Sequence, residues 1–397
     1  MNNTKKNIFI PLTPFHLYQT LSIIYSTYSK DINILITVDI IPPEILSNLR
    51  ESDIFSEIYQ LPILEFKRKY LELDNKLLRM LKKLFTRIII KVYFKFPKID
   101  LCCSRLFIFN DNTEISDWLF YNIRRQNKVK PLIIHLPDGF GSFYQEEPKE
   151  PILLKLFKKI KYIIGSSMSY GQYNCLGESP MTDEFQVINP MNFPIVQPEK
   201  VLSKVRKADS KIESFICSPP EEFRNLIYND YNLESVDSIN EKFRNKRVIF
   251  IYTQPFDKKY KINEFYVKLI NKLRKLNFEI ILKPHPRQTE DEFKFLVNLV
   301  YVLPSKICVE ALFTGFPELF LNSYHLTAHS TVALSLLSYL NLDPSRLILY
   351  YKLLGIKNGG IDNYLLKIAN LWNIFIPTSI DDLEAYLNLN YNESVKL

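Results

Sequence analysis

The chain has 397 residues, of which 47% are hydrophobic and 24% charged, a globular composition that excludes a disordered or fibrous protein. At about 150 residues per domain, this length accommodates two or three domains. Lys and Arg outnumber Asp and Glu by 51 to 43, a net charge of +8, which favours an anionic partner: a phosphorylated substrate, an acidic lipid or nucleic acid. Only 9 glycines occur, and neither the dinucleotide-binding nor the Walker A loop pattern is present.

In chain order, the apolar residues 7–11 read as a buried strand. Thr13 is placed to cap a following helix, with Pro14 at its first position and its end near residue 29. Lys5, Lys6 and the apolar run after them resemble a signal peptide superficially. Pro11, Pro14, His16 and Gln19 interrupt that run and no small-residue cleavage site follows, so the segment reads as part of the fold. Further strands are expected over 33–38, 106–109 and 132–135, with a helix opening at Pro42-Pro43. Short apolar strands alternating with helices signify a parallel α/β sheet.

The second half repeats the plan. Strands are expected over 247–252 (RVIFIY), 278–282 (FEIIL), 301–302, 318–322 and 347–350. Helices are expected over 263–276, 290–299 and 332–340. Residues 201–245 are polar, charged and poor in strand character, and read as a linker region. The expected division is an N-terminal Rossmann-like domain over 1–200 and a C-terminal one over 246–397. Two Rossmann-like halves with no glycine-rich loop point to α/β architecture of the GT-B type, two domains facing a central cleft. Ligands of such sheets bind beyond the carboxyl ends of the strands.

Five cysteines, with Cys102 and Cys103 adjacent, form no CxxC or Cys/His pattern, which points to reduced thiols rather than a zinc site or disulfide framework. No run of about 18 apolar residues exists, so no membrane-spanning helix is expected.

Three segments place ionisable residues just after strands: Leu136-Pro137-Asp138-Gly139, Thr253-Gln254-Pro255-Phe256-Asp257, and Lys283-Pro284-His285-Pro286-Arg287-Gln288-Thr289. The last, KPHPRQT, resembles the His-Pro motif of bacterial GT-B sialyltransferases, and specifically glycosyltransferase family 52. The resemblance runs in order through TPFHLYQ after the first strand, Asp138-Gly139, the segment ending at Asp257 and KPHPRQT. It continues through Pro304 with Glu310 six residues on, and His329-Ser330-Thr331.

This resemblance implies an inverting sialyltransferase with CMP-sialic acid as donor and no metal or other cofactor. The chain has no two aspartates separated by one residue, so the DxD metal-nucleotide motif is missing. The leaving phosphate must then be met by protein donors and positive charge. By resemblance His285 is the general acid, its backbone fixed between two prolines, and Asp257 is the base that takes the acceptor proton. Asp138 is the rival base. Pro137 stands where related families carry a second acidic residue, which favours Asp257. Lys283, Pro286, Arg287, Glu310, Ser330 and Thr331 are the donor-binding candidates, with Glu310 on the ribose and Ser330-Thr331 at a helix start suited to phosphate. His16 and Gly139 are candidates for the acceptor side.

Residues 66–98 carry eleven Lys or Arg against Glu72 and Asp74, interleaved with Leu, Ile and Phe. Residues 152–164 repeat that chemistry. Both suit an amphipathic helix on an anionic membrane surface and match no nucleic-acid recognition motif. The reading is a sialyltransferase of a lipooligosaccharide or capsule, peripheral on the inner face of the cytoplasmic membrane. Its acceptor is a lipid-linked glycan, and a homodimer is left open. The alternatives are a relative using another sugar nucleotide, such as a glucosyltransferase, and a non-catalytic glycan- or lipid-binding relative.

Overall fold

The computed structural model describes residues 5–62, 99–111, 113–138, 142–144, 175–187, 195–255, 262–296, 298–328, 330, 332–355 and 359–394. The chain divides into two compact units, Met1–Phe215 and Ile216–Leu397.

In the first unit, seven strands form one sheet: β1 (Lys6–Ile10), β2 (Ile32–Val38), β3 (Glu57–Leu61), β4 (Arg105–Ile108), β5 (Leu132–His135), β6 (Glu184–Val187) and β7 (Val205–Lys207). Their order is β3-β2-β1-β4-β5-β6-β7, with every pairing parallel. β1 and β2 are buried along almost their whole length, as strands covered on both faces require. Phe9 and Phe107 are register partners on β1 and β4, and their rings stack at 4.5 Å. One core cluster joins Ile8, Ile34, Ile36, Leu106, Ile133 and the helix residues Leu119 and Phe120.

The second unit holds β8 (Val248–Tyr252), β9 (Glu279–Lys283), β10 (Tyr301–Val302), β11 (Tyr324–Thr327) and β12 (Leu347–Leu349). Their order is β10-β9-β8-β11-β12, again parallel throughout. Counted within the unit, this is third-second-first-fourth-fifth, the order of the first five strands of unit 1. Each sheet is doubly wound. The strand order reverses between β1 and β4 in one and between β8 and β11 in the other, where such sheets bind ligands.

Several elements depart from the sequence reading. Of residues 318–322, expected as a strand, 318–321 lie in the helix Pro317–Leu321 and Asn322 is its C-cap. Pro317 sits at its start, where the ring fixes a helical φ and the missing N–H costs nothing. The strand follows two residues later as β11, hidden in the sequence because its YHLT carries three polar-tipped side chains. The first helix keeps α geometry over Pro14–Ile23 and continues as a π-turn over Ile24–Tyr28. The helix expected over 290–299 is a 3₁₀ segment, Glu290–Leu296. Residues 201–245 contain β7 and the helices Ser210–Cys217, Glu221–Asp230 and Glu234–Phe243. The basic stretch 66–98 and residues 152–164 lie outside the described residues. Among the described residues, no helix is long and apolar enough to cross a membrane.

Candidate active site

In unit 1 the turns after β1, β4 and β5, three adjacent strands, bring polar side chains together. Thr13 accepts the His16 N–H at 3.2 Å and so caps the helix that carries His16. The His16 ring is buried and stacks on Phe109 at 4.2 Å with a 5° interplanar angle. Its Nε2 lies 2.5 Å from Asp138 Oδ1, while its Nδ1 accepts the Leu12 N–H at 3.2 Å. With Nδ1 accepting, the ring N–H at Nε2 donates to the carboxylate. Asn110 Nδ2 donates to the other oxygen of Asp138 at 3.1 Å. The Asp138 N–H donates to the buried Ser142 hydroxyl at 2.6 Å. The carboxyl group is thus held by two donors with 24% of its side chain exposed: oriented and accessible.

Beside it lies a second carboxylate with a different task. Asp111 is fully buried and accepts from Gly177 N–H (2.9 Å), Ser179 N–H (3.1 Å) and the Thr182 hydroxyl (3.0 Å). Gly177 holds φ at +80°, a conformation that favours glycine. Lys204 crosses the same turn, donating to the Gly177 and Ser179 carbonyls at 2.9 and 2.6 Å. His135, the last residue of β5, is fully buried 3.9 Å from Asp111, and neither ring nitrogen has a hydrogen-bond partner. Burial holds its pKa below the usual histidine range, so it is neutral.

In unit 2 the KPHPRQT segment leaves β9 as a tight turn. Pro286 and Arg287 occupy its centre, closed by Gln288 N–H donating to the His285 carbonyl at 2.8 Å, and proline presets φ at such a position. The His285 N–H points at Thr253 Oγ1 and Gln288 Oε1, at 3.2 and 3.3 Å. Thr253, just past β8, donates to Gln288 at 2.6 Å. The Arg287 N–H donates to His285 Nδ1 at 3.1 Å, which again leaves the ring proton on Nε2. His285 is half-buried, and Pro286 and Arg287 are exposed.

Lys283 ends β9 and is buried, donating to the Pro284 and Ser305 carbonyls at 2.9 Å each. Burial pulls its ammonium down to about 8. These contacts fix the exit of β9. Glu310 is buried in the first turn of the helix Val309–Gly315. Burial raises its pKa, against hydrogen bonding to Ser335 and the field of Lys283. Ser330 Oγ accepts the Val332 N–H at 3.3 Å, capping the helix Val332–Tyr339.

Beneath β8 runs a buried network. The Tyr252 hydroxyl pairs with His325 Nδ1, and His325 Nε2 with the Phe320 carbonyl, both at 2.8 Å. A carbonyl only accepts, so Nε2 bears the proton, and burial lowers the His325 pKa to about 4. Tyr350 donates to the Tyr252 carbonyl at 3.2 Å, and its hydroxyl meets that of Tyr266 at 3.2 Å. This network holds the end of the strand that leads to Thr253.

The structure therefore brings His16 together with Asp138, and Lys283, Glu310 and His285 around the end of β9. Asp257, Gly139 and Thr331 lie outside the described residues. Sequence reasoning missed Asn110, Asp111 and His135. The first two lie just beyond β4, after Phe109, so extending the same search to that strand would have found them. Among the described residues, no group of three His, Cys, Asp or Glu side chains could hold a metal ion.

Known structures share this architecture. The alpha/beta-galactoside alpha-2,3-sialyltransferase of Photobacterium phosphoreum superposes with a TM-score of 0.55 at 13% identity, over 96% of this chain and 100% of that one. The GT-B domain of a Photobacterium damselae sialyltransferase does so with a TM-score of 0.52 at 11% identity, over 94% and 98%. The fold is that of the GT-B glycosyltransferases. No curated protein sequence matches the chain. The family Alpha-2,8-polysialyltransferase (POLYST) matches residues 7–312, and the chain belongs to that family.

Proposed function

We propose that the chain moves sialic acid from CMP-sialic acid to a terminal sugar hydroxyl of a bacterial surface glycan, with inversion and without a metal. The supporting observation is Asp138. A member of a polysialyltransferase family holds this carboxylate after β5 between an imidazole N–H and a carboxamide. That is what a base for an acceptor hydroxyl needs: fixed direction, negative charge and access. His16 and Gly139 flank it on the acceptor side.

The donor side is assigned to unit 2. His285 and Arg287 meet the phosphate, on a turn that Lys283 and Pro286 fix. Glu310 takes the ribose hydroxyls, and Ser330, just before the helix Val332–Tyr339, offers a hydroxyl to the phosphate, with Thr331 assigned to the same role from the sequence. Phosphate charge met by protein donors needs no metal, in keeping with the missing DxD motif. The family's name makes a sialic-acid-terminated glycan the first acceptor to test. The kinship of KPHPRQT to family 52 adds galactose-terminated lipooligosaccharide. The basic stretch 66–98 supports a peripheral place on an anionic membrane, where lipid-linked acceptors lie.

A donor screen tests the reading. The full chain is given radiolabelled CMP-sialic acid, UDP-glucose or UDP-galactose with sialyl- and galactosyl-terminated acceptors, with and without EDTA. Label should pass from CMP-sialic acid alone and at the same rate in EDTA. Transfer from a UDP-sugar, or a strict requirement for Mg²⁺ or Mn²⁺, would overturn it.

A further inference from the structure

The turn that carries His285 and Arg287 is gripped by two side chains with no part in the chemistry assigned so far, Thr253 and Gln288. β8 and β9 are paired in register up to Tyr252 and Lys283, and the Thr253 N–H closes the ladder on the Lys283 carbonyl at 3.1 Å. The sheet needs nothing further. Beyond that point the buried Thr253 hydroxyl donates to Gln288 Oε1 at 2.6 Å, and both oxygens face the His285 N–H, at 3.2 and 3.3 Å. The Gln288 N–H donates to the His285 carbonyl at 2.8 Å. Gln288 thus holds both backbone polar groups of His285, and Thr253 ties that grip to the end of β8.

A carboxamide suits both sides of position 288. The edge that faces the His285 N–H must accept, while Nε2 lies 3.5 Å from Glu292 Oε2, where a donor is required. Glu292 is itself held, accepting the Thr289 N–H at 2.9 Å. The flanks of the turn are anchored separately, since the Ser305 carbonyl accepts from Lys283 and the Ser305 N–H donates to Glu290. Loss of the clamp therefore loosens the turn and leaves its flanks in place. We propose that Thr253 and Gln288 are positioning residues for transfer. They fix the direction in which the His285 and Arg287 side chains leave the turn, and with it their aim at the phosphate. This rests on the sialyl-transfer reading above for what the turn serves, and not for what holds it.

In the full chain with CMP-sialic acid, Gln288→Ala should lower kcat by about 10–100-fold, as misplacing a reacting group does, with the urea midpoint nearly unchanged. Thr253→Val keeps the shape and removes the hydroxyl. It should lower kcat by about tenfold, and Thr253→Ser should restore most of that loss. Because the two residues form one clamp, the double variant Thr253→Val/Gln288→Ala should be within about threefold of Gln288→Ala alone. Gln288→Glu sets two carboxylates face to face and should also lower kcat. Adding Glu292→Gln returns a donor to that contact and should recover it.

Hydrogen–deuterium exchange reads the clamp without any substrate. Pro284 and Pro286 have no amide hydrogen, so a peptide over 284–288 reports on His285, Arg287 and Gln288 alone. Exchange there should quicken by about five- to tenfold in Gln288→Ala, the worth of one hydrogen bond, with the rest of unit 2 unchanged. Wild-type kcat in Gln288→Ala, losses that multiply in the double variant, or an unchanged exchange rate would overturn the proposal. Absence of any sialyl transfer by the wild type would instead defeat the functional reading and the positioning role with it. The exchange rates would still decide whether the clamp holds the turn.

Discussion

Unit 1 and unit 2 share a strand order, and the ends of their strands carry opposite chemistry. After β1, β4 and β5, side chains hold one another: His16 and Asn110 both donate to Asp138. After β8 and β9, side chains hold backbone: Lys283 grips two carbonyls, and Thr253 and Gln288 grip the His285 amide. The first arrangement presents a carboxylate. The second leaves imidazole and guanidinium donors on a rigid turn. On the proposed function, one doubly wound scaffold would serve as proton acceptor in one unit and as anion-binding donor in the other, through its loops alone.

The comparison breaks most easily at Asp111, the buried carboxylate beside the proposed base. Asp111→Leu removes the acceptor of three buried donors. The expected loss is about 3–5 kcal/mol of unfolding free energy, read as a lower urea midpoint with unchanged slope. In unit 2 a contrasting buried carboxyl is Asp230, at the end of the helix Glu221–Asp230, whose Oδ2 has no partner and whose pKa burial raises to about 7. The folded state then binds its proton more tightly than the unfolded one. Its contribution to stability is full below the ordinary aspartate range and is lost as pH rises through about 7. Asp230→Asn should therefore stabilise the protein at pH ~8 by up to about 4 kcal/mol and change little at pH ~4. A pair of urea titrations at those two pH values checks both sign and window. Ser330→Ala should have the smallest effect, about 1 kcal/mol for one lost hydrogen bond to the Val332 N–H, measured by thermal unfolding.

Much of this was legible in the residues. Strands β1, β5, β8 and β9 are continuous apolar runs, and their buried environment on both faces is what such runs report. KPHPRQT marked the end of β9, and the Asp-Gly turn marked the end of β5. The sequence did not disclose β3, β6 and β7, which read EIYQL, EFQV and VRK and are only partly buried. β3 and β7 are the sheet's edges, and β6 buries only alternate residues, Phe185 and Val187. It also did not disclose that His16, far along the chain from Asp138, is its partner. That contact depends on β1, β4 and β5 lying side by side, a tertiary fact that no local spacing contains. Pro137 in place of a second acidic residue pointed toward Asp257. The clamp around Asp138 is what makes it the proposed base.

That assignment is the centre of the account, and paired kinetics of Asp138→Asn and Asp257→Asn in the full chain test it most directly. With CMP-sialic acid as donor, Asp138→Asn should lower kcat by about 10²–10⁴-fold, as loss of a general base does, with the donor KM little changed. Asp257→Asn should keep near wild-type turnover. The reverse result, an active Asp138→Asn and an inactive Asp257→Asn, would contradict the account.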